Sequence, residues 1–213
     1  VLDTFHKTRL LLSLGTIFPM IALGIDPGTR RLGWGVVARA GNRLSHVAHG
    51  VIALGASESI AARLVELETQ LTQIIREHRP NVSSVESLFF SKDAQAAAKL
   101  GHARGVVLLC LARERIPIAE YAPAKVKRTI AGSGMADKRQ VALLVRAALA
   151  LDSLPESDAA DALAIAITHL RLGGLLAALA EAERCGREPS DRARMLASML
   201  GARRGRKPVP SRP

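Results

Sequence analysis

Ile21-Ala22-Leu23-Gly24-Ile25-Asp26-Pro27-Gly28-Thr29-Arg30 is a short apolar run that ends in one carboxylate and a tight turn. A run this apolar fits a β-strand buried on both faces. Pro27-Gly28 stops it abruptly, because proline fixes φ and glycine tolerates positive φ. Asp26 then stands at the carboxyl end of a central strand, the edge on which open α/β sheets build their sites. On this stretch alone two readings stay open: Asp26 merely opens the turn, or it belongs to a site. The positions of the other carboxylates have to decide.

Downstream, Leu32-Gly33-Trp34-Gly35-Val36-Val37-Ala38 reads as a second strand, and Leu44 to Leu54 as a third with a break near Gly50. The short spacings suggest antiparallel hairpins. From Ser57 the period changes: Ile60, Leu64, Leu67, Leu71, Ile74 and Ile75 predict an amphipathic helix that ends near His78, before Pro80. Val82 to Leu88 is a fourth strand carrying Glu86. A helix from about Lys92 to Arg115 follows, in which Gly101 and Gly105 thin one face for a close helix contact, inside the chain or with a second copy. Ile116 to Tyr121 is a fifth strand, Pro123 opens a short helix with Lys125, Lys127 and Arg128, and Asp137 caps the next, to about Leu151. Ser157 is the expected N-cap of a last helix that packs on the sheet through Leu163, Ile165, Ile167 and Leu170. The order β-β-β-α-β-α-β-α-α-α predicts an α/β fold, a five-stranded mixed sheet flanked by helices. No internal repeat is visible.

Composition bounds the setting. At 213 residues and 48% hydrophobic content, the chain has ample length for one packed domain. Its net charge is +11, but residues 184–213 hold nine Arg or Lys against Glu188 and Asp191, so most of the excess sits in a tail. Such a tail is either a polyanion-binding arm or a solvated one. Residues 1–19 are read as an extension upstream of the fold, disordered or the product of a misplaced start, with Met20 just before the strand. Residues 20–174 are read as the folded domain and 175–213 as a basic helical or disordered tail that includes a helix candidate near Asp191–Leu200. The apolar stretch 7–25 is not read as a signal peptide: it has no small-x-small cleavage site, Pro19 interrupts it, and its second half is the strand. No segment offers ~20 clean apolar residues for a membrane span, and the expected location is cytoplasmic. Cys110, in an apolar run, reads as a buried core thiol, and Cys185 has no metal-like spacing to it. His46 and His49 alternate with apolar residues, so a strand would turn them to opposite faces.

The carboxylates carry chemistry as a set. Asp26 ends the first strand, Glu86 nearly ends the fourth, and Asp158 and Asp161 lie three apart at the start of the last helix. A right-handed crossover through the 57–78 helix brings strand four beside strand one, so four acids converge on one sheet edge. Asp158 and Asp161 taken alone are ordinary first-turn helix acids. Glu86 in an apolar strand is harder to explain without a partner. Together they need counter-charge, and all-oxygen ligands favour Mg²⁺ or Mn²⁺. Two such ions ~4 Å apart stabilise the entering and leaving oxygens of a phosphoryl displacement.

Four blocks also carry a family resemblance: Leu23-Gly24-Ile25-Asp26-Pro27-Gly28-Thr29, Glu86-Ser87-Leu88-Phe89, Ala98 to Gly105 (Ala-Lys-Leu-Gly-His-Ala-Arg-Gly), and Asp158 to Ala166. In order and spacing, from about Met20 to Leu172, they resemble RuvC, the bacterial Holliday junction resolvase family. The resemblance implies a ribonuclease H-like fold, a homodimer, and Mg²⁺-dependent nicking of two opposed strands of a four-way junction, leaving 5′-phosphate and 3′-hydroxyl ends. Asp26, Glu86, Asp158 and Asp161 match the family's four catalytic, metal-holding acids. Phe89 matches its base-stacking aromatic, and Lys127 and Lys138 its DNA contacts. Ser87 stands where the family often has Gln. Work alongside the branch-migration proteins RuvA and RuvB is implied too.

Two residue-level expectations accompany this. Phe89-Phe90 are two of only six aromatics in the chain and follow the site strand; one is expected to stack on an unpaired base and the other to staple the next helix. Lys92, Lys127, Arg128, Lys138 and Arg139 supply phosphate-facing charge. Three alternatives share features. Sugar kinases and actin-like ATPases share the opening motif but need a second Asp-x-Gly-Thr lobe that this chain lacks. A YqgF-like nuclease shares the Asp-Pro-Gly-Thr start but not the later blocks. A non-catalytic junction-binding protein would have no use for four intact acids.

Overall fold

The structure is a computed structural model that describes residues 19–28, 30–55, 59–87 and 94–184. Its elements are β1 (Met20–Asp26), β2 (Arg31–Ala40), β3 (Arg43–Ala53), α1 (Ile60–His78), β4 (Val82–Glu86), α2 (Ala94–Arg113), β5 (Ile118–Tyr121), α3 (Pro123–Ala131), α4 (Lys138–Leu149) and α5 (Ser157–Arg184). The chain divides into two compact units after Leu170. The strands form one sheet in the order β3-β2-β1-β4-β5. β1, β2 and β3 are antiparallel neighbours, whereas β4 runs parallel to β1 and β5 parallel to β4. The mixed five-stranded sheet and the β1–β4 adjacency are as the sequence predicts.

Strand alternation sorts the side chains of β1 into two cores. Leu23 and Ile25 join Val85, Leu67, Leu71, Val107 and Leu111 under α1 and α2. Ala22 faces the other way, with Val141, Val145, Leu163 and Ile167 of α4 and α5. Gly24 and Asp26 share that second face. Cys110 is buried in the first core, as expected. Sequence signals set the helix ends. Ser59 Oγ accepts from the Ala62 N–H at 3.2 Å, and Asp137 accepts from the Gln140 N–H at 2.7 Å. Gly132 closes α3 at φ 74°.

Several expectations are corrected in detail. Ser157 is the first residue of α5, with the Ala160 N–H bonded to the Glu156 carbonyl at 2.8 Å, so the helix starts one residue early. β3 runs unbroken through Gly50, whose missing side chain makes room for the Trp34 ring: a Cβ there would lie 2.9 Å from it. The irregularity is at Val47, because Val36 pairs with Ala48 while Val37 pairs with His46. That extra residue resets the alternation. His46 and His49 therefore meet, Nε2 to Nδ1 at 2.7 Å, instead of facing apart. At Gly101 and Gly105 a Cβ would meet nothing within 4 Å, so nothing described in this chain packs tightly on that face.

Candidate active site

The carboxyl ends of β1 and β4 carry the first two acids. Ile25 pairs with Val85 in parallel register, so Asp26 and Glu86 emerge side by side on the α5 face of the sheet. Three glycines let α5 descend onto that face. In β1, a Cβ on Gly24 would lie 2.0 Å from the Ala162 carbonyl oxygen. In β2, a Cβ on Gly33 would lie 1.9 Å from the Asp158 carbonyl oxygen, and one on Gly35 would lie 2.7 Å from the Leu163 side chain. Gly33 pairs with Asp26, and Gly35 with Gly24. The first turn of α5, with Asp158 and Asp161, is thus pressed against the end of β1 by backbone contact that any side chain would prevent.

Each acid has a distinct partner. Asp26 and Glu86 hydrogen-bond to each other. Burial, then the charges of Glu86 and Asp161, push the Asp26 carboxyl up to about 8, opposed by Lys138. Burial also raises Glu86, opposed first by its hydrogen bond from Asp26. Burial and mutual repulsion therefore favour a proton shared between the two carboxyls over two ionised ones. Asp161 Oδ2 lies 2.9 Å from Lys138 Nζ, the first residue of α4. Asp158 Oδ2 lies 2.7 Å from Arg31 Nε, and the same guanidinium also bonds Glu156.

Of the sequence-derived candidates, Asp26, Glu86 and Asp161 thus interact as one group, with Asp158 beside them on α5 and tied to Arg31. Lys138 touches the group directly, and Lys127 on α3 is near enough to favour ionised Glu86. Arg139 is exposed one residue further along α4. Phe89, Phe90 and Lys92 lie outside the described residues. Sequence reasoning missed Arg31, the first residue of β2, and the glycines of the same strand. The signal for the glycines was visible: two of them at period two in an apolar strand mark a close approach on one face.

Among the described residues no three His, Cys, Asp or Glu side chains are gathered into a ready-made ion cage. Protons and bases hold the four acids instead: a shared proton on Asp26 and Glu86, Lys138 on Asp161, Arg31 on Asp158. This donor set fits a hard divalent cation. Two adjacent half-buried carboxyls that share a proton are poised to exchange it for a cation, and every available donor is oxygen.

A mixed sheet of this order, with acids at the ends of its two central parallel strands and at the start of the helix laid across them, defines a nuclease of the ribonuclease H-like class. Residues 22–169 match the family model for crossover junction endodeoxyribonuclease RuvC. The chain belongs to the RuvC family of crossover junction endodeoxyribonucleases. It is similar to that enzyme from Sorangium cellulosum (strain So ce56), 61% identical over 161 residues, 76% of this chain and 90% of the relative. The enzyme from Parvibaculum lavamentivorans is 48% identical over 151 residues, 71% of this chain and 86% of that one. Among solved structures, T. thermophilus RuvC in complex with Holliday junction substrate superposes with a TM-score of 0.69 at 37% identity, covering 73% of this chain and 97% of that one. Family, fold and nuclease activity read from the four sequence blocks are borne out. No described helix is long and apolar enough to cross a membrane.

Proposed function

We propose that this endodeoxyribonuclease resolves four-way DNA junctions by paired, divalent-metal-dependent nicks, with Asp26, Glu86, Asp158 and Asp161 as its catalytic and metal-holding acids. The observation that carries the reading is the proton-sharing Asp26–Glu86 pair at the ends of two adjacent parallel strands, beneath the first turn of α5. When bound, two Mg²⁺ (or Mn²⁺) ions would supply Lewis-acid stabilisation of the entering and leaving oxygens. The chain's own groups do the rest. The fixed sheet edge orients the carboxylates, and Lys127, Lys138, Arg139 and Lys92 hold the scissile phosphate by charge. Water attacks phosphorus in line, the P–O3′ bond breaks, the water oxygen stays on the 5′-phosphate, and the 3′ oxygen leaves as a hydroxyl. Phe89 stacks on a base at the opened junction.

Two opposed nicks call for two sites, so the working unit is a homodimer. The stripe Gly101–Gly105–Leu109 on α2 supports it: both glycines face open space and Leu109 is exposed. The domain reading of 20–174 with a basic tail to 213 belongs to this proposal, as does action alongside RuvA and RuvB in the cytoplasm, where the chromosome is. The test is cleavage of a synthetic mobile junction against linear duplex, with and without Mg²⁺ or Mn²⁺. Metal-dependent cutting of the junction, giving ligatable nicks of equal rate on opposed strands, is the expected result. Equal cutting of duplex would defeat it.

Lys138 gives a more local test. It compensates Asp161 at 2.9 Å and has a phosphate to engage once a cation takes over that carboxylate. Lys138→Met is expected to slow cleavage ~100-fold, the lower end of the range for removing one electrostatic group from a transition state. It should also flatten the salt dependence of junction binding by about one phosphate contact. An unchanged rate in single-turnover assays removes Lys138 from the site.

A further inference from the structure

Among the described residues Arg104, on α2, is the one buried charged residue, 8% exposed. A buried guanidinium is rarely retained for stability, since an apolar side chain of similar volume serves as well or better. Its two contacts point to another use. One terminal nitrogen donates to the backbone carbonyl of Glu86. The other lies 2.8 Å from Glu120 Oε2. In the β4–β5 ladder Glu120 stands opposite Val85, and Tyr121 opposite Glu86. The N–H of Ser87 donates to the Tyr121 carbonyl at 2.9 Å. The peptide linking Glu86 to Ser87 is thus held at both ends, its N–H by β5 and its C=O by Arg104. This is the last peptide of β4, where no further ladder bond could fix it.

Alternation turns Val82, Ser84 and Glu86 toward α5, and Val85 toward α1 and α2. Arg104 therefore reaches Glu86 from the sheet face opposite the acids, through the backbone, and touches neither the acid group nor a substrate phosphate on that side. The orientation of this peptide plane sets ψ of Glu86, and with it where the carboxylate points. We infer that Arg104 is a positioning residue for the Glu86 carboxylate, locking the final peptide of β4 from behind the sheet so that Glu86 is directed at the cation and phosphate. The inference rests on the reading of Glu86 as a metal-holding acid given above.

The test uses the full chain and two variants. Arg104→Met keeps volume and removes the buried charge, so folding is not at risk from an unpaired ion. Arg104→Lys keeps the charge but lacks the fork needed to span both acceptors. Mg²⁺ binding is read by calorimetry without DNA, and single-turnover cleavage gives kcat and KM for a synthetic junction. For Arg104→Met we expect ~10–100-fold weaker Mg²⁺ binding, the usual cost of losing an outer partner of a metal ligand. kcat should fall at least ~10-fold while KM stays within about twofold of the parent value, and Arg104→Lys should recover part of each loss. Glu120→Gln leaves the bond to Glu86 in place and should stay within about threefold of the parent chain on both readouts. Parent-like Mg²⁺ binding and kcat in Arg104→Met overturn the inference. So does loss of the folded state in both Arg104 variants, or a Glu120→Gln defect as large as that of Arg104→Met. Glu86→Gln separates the two levels. If it cleaves like the parent, the reading of Glu86 fails and the inference with it. If it is inactive while Arg104→Met is parent-like, the inference alone fails.

Discussion

Asp26→Asn is expected to lower junction cleavage by at least ~10³-fold while leaving junction affinity within a few-fold of the parent chain. Asparagine has the shape of a protonated aspartic acid and can still donate to Glu86, so the end of β1 keeps its packing and its contact. What it cannot do is ionise. Asp26 is the member of the acid group whose carboxyl is pushed up to about 8, by burial and by Glu86 and Asp161. A cation bound there would gain most from its deprotonation. Losing one well-placed electrostatic group costs ~10²–10³-fold in other enzymes, and loss of a charged ligand at the centre of the group should exceed that. Single-turnover cleavage of a synthetic junction, with binding measured separately without metal, gives both numbers. Parent-rate cleavage would exclude Asp26 from the chemistry.

The same substitution has a stability signature. The folded-state value near 8 lies above the ordinary aspartate value of 3.8, so the folded state holds the proton more tightly than the unfolded chain. That contribution is fully present below about pH 4 and is lost as pH rises to about 8, by at most ~1.4 kcal/mol per unit. The metal-free parent should therefore melt at progressively lower temperature across that window, and Asp26→Asn should remove much of the slope. Mg²⁺ should restore the parent's melting temperature most at the alkaline end, where the acids are ionised and crowded. Thermal denaturation at several pH values, with and without Mg²⁺, reads all three effects.

Why Asp26 could be read as a site residue before any coordinates, while Arg31 and Arg104 could not, is a matter of what each depends on. Asp26, Glu86, Asp158 and Asp161 are tied to element ends, and element ends are marked locally by Pro27-Gly28, by the end of an apolar run, and by the start of a helix. The β1–β4 adjacency that unites Asp26 with Glu86 followed from the same signals and from crossover handedness, and so was within reach. The ion pairs were not. Arg31 meets Asp158 across 127 residues, and Arg104 meets Glu86 through a backbone carbonyl. Neither leaves a pattern in the chain. The extra residue at Val47 is similar: nothing in Leu44–Leu54 distinguishes it from its neighbours. It exists because β3 must stay paired with β2 along its length, and it turns a predicted divergence of His46 and His49 into a contact.

The glycines of β2 fall between these cases, and they lead to the second large effect. Gly33→Ala is expected to reduce cleavage by ~10²-fold or more. A Cβ at Gly33 would lie 1.9 Å from the Asp158 carbonyl oxygen and 2.3 Å from its carbon. These are backbone atoms of the first turn of α5, and no rotamer change can clear them. The turn must rise off the sheet by an ångström or more, carrying Asp158 and Asp161 away from Asp26 and Glu86. Misplacements of about that size cost ~10²-fold where geometry governs the rate. Stability should fall as well, by ~1–3 kcal/mol for an overpacked contact. Gly24→Ala serves as the comparison, because its Cβ would strike Ala162 and Ala166, further along α5. That lifts the helix where Leu163, Ile165 and Ile167 bury their side chains in the second core, so the thermal loss should be larger than for Gly33→Ala. If both variants lose activity only in proportion to their unfolded fraction, the glycines serve folding alone. If folded Gly33→Ala is crippled and its Mg²⁺ affinity drops while most of its melting temperature survives, the glycine opposite Asp26 is what lets the helix bring its two acids to the end of β1.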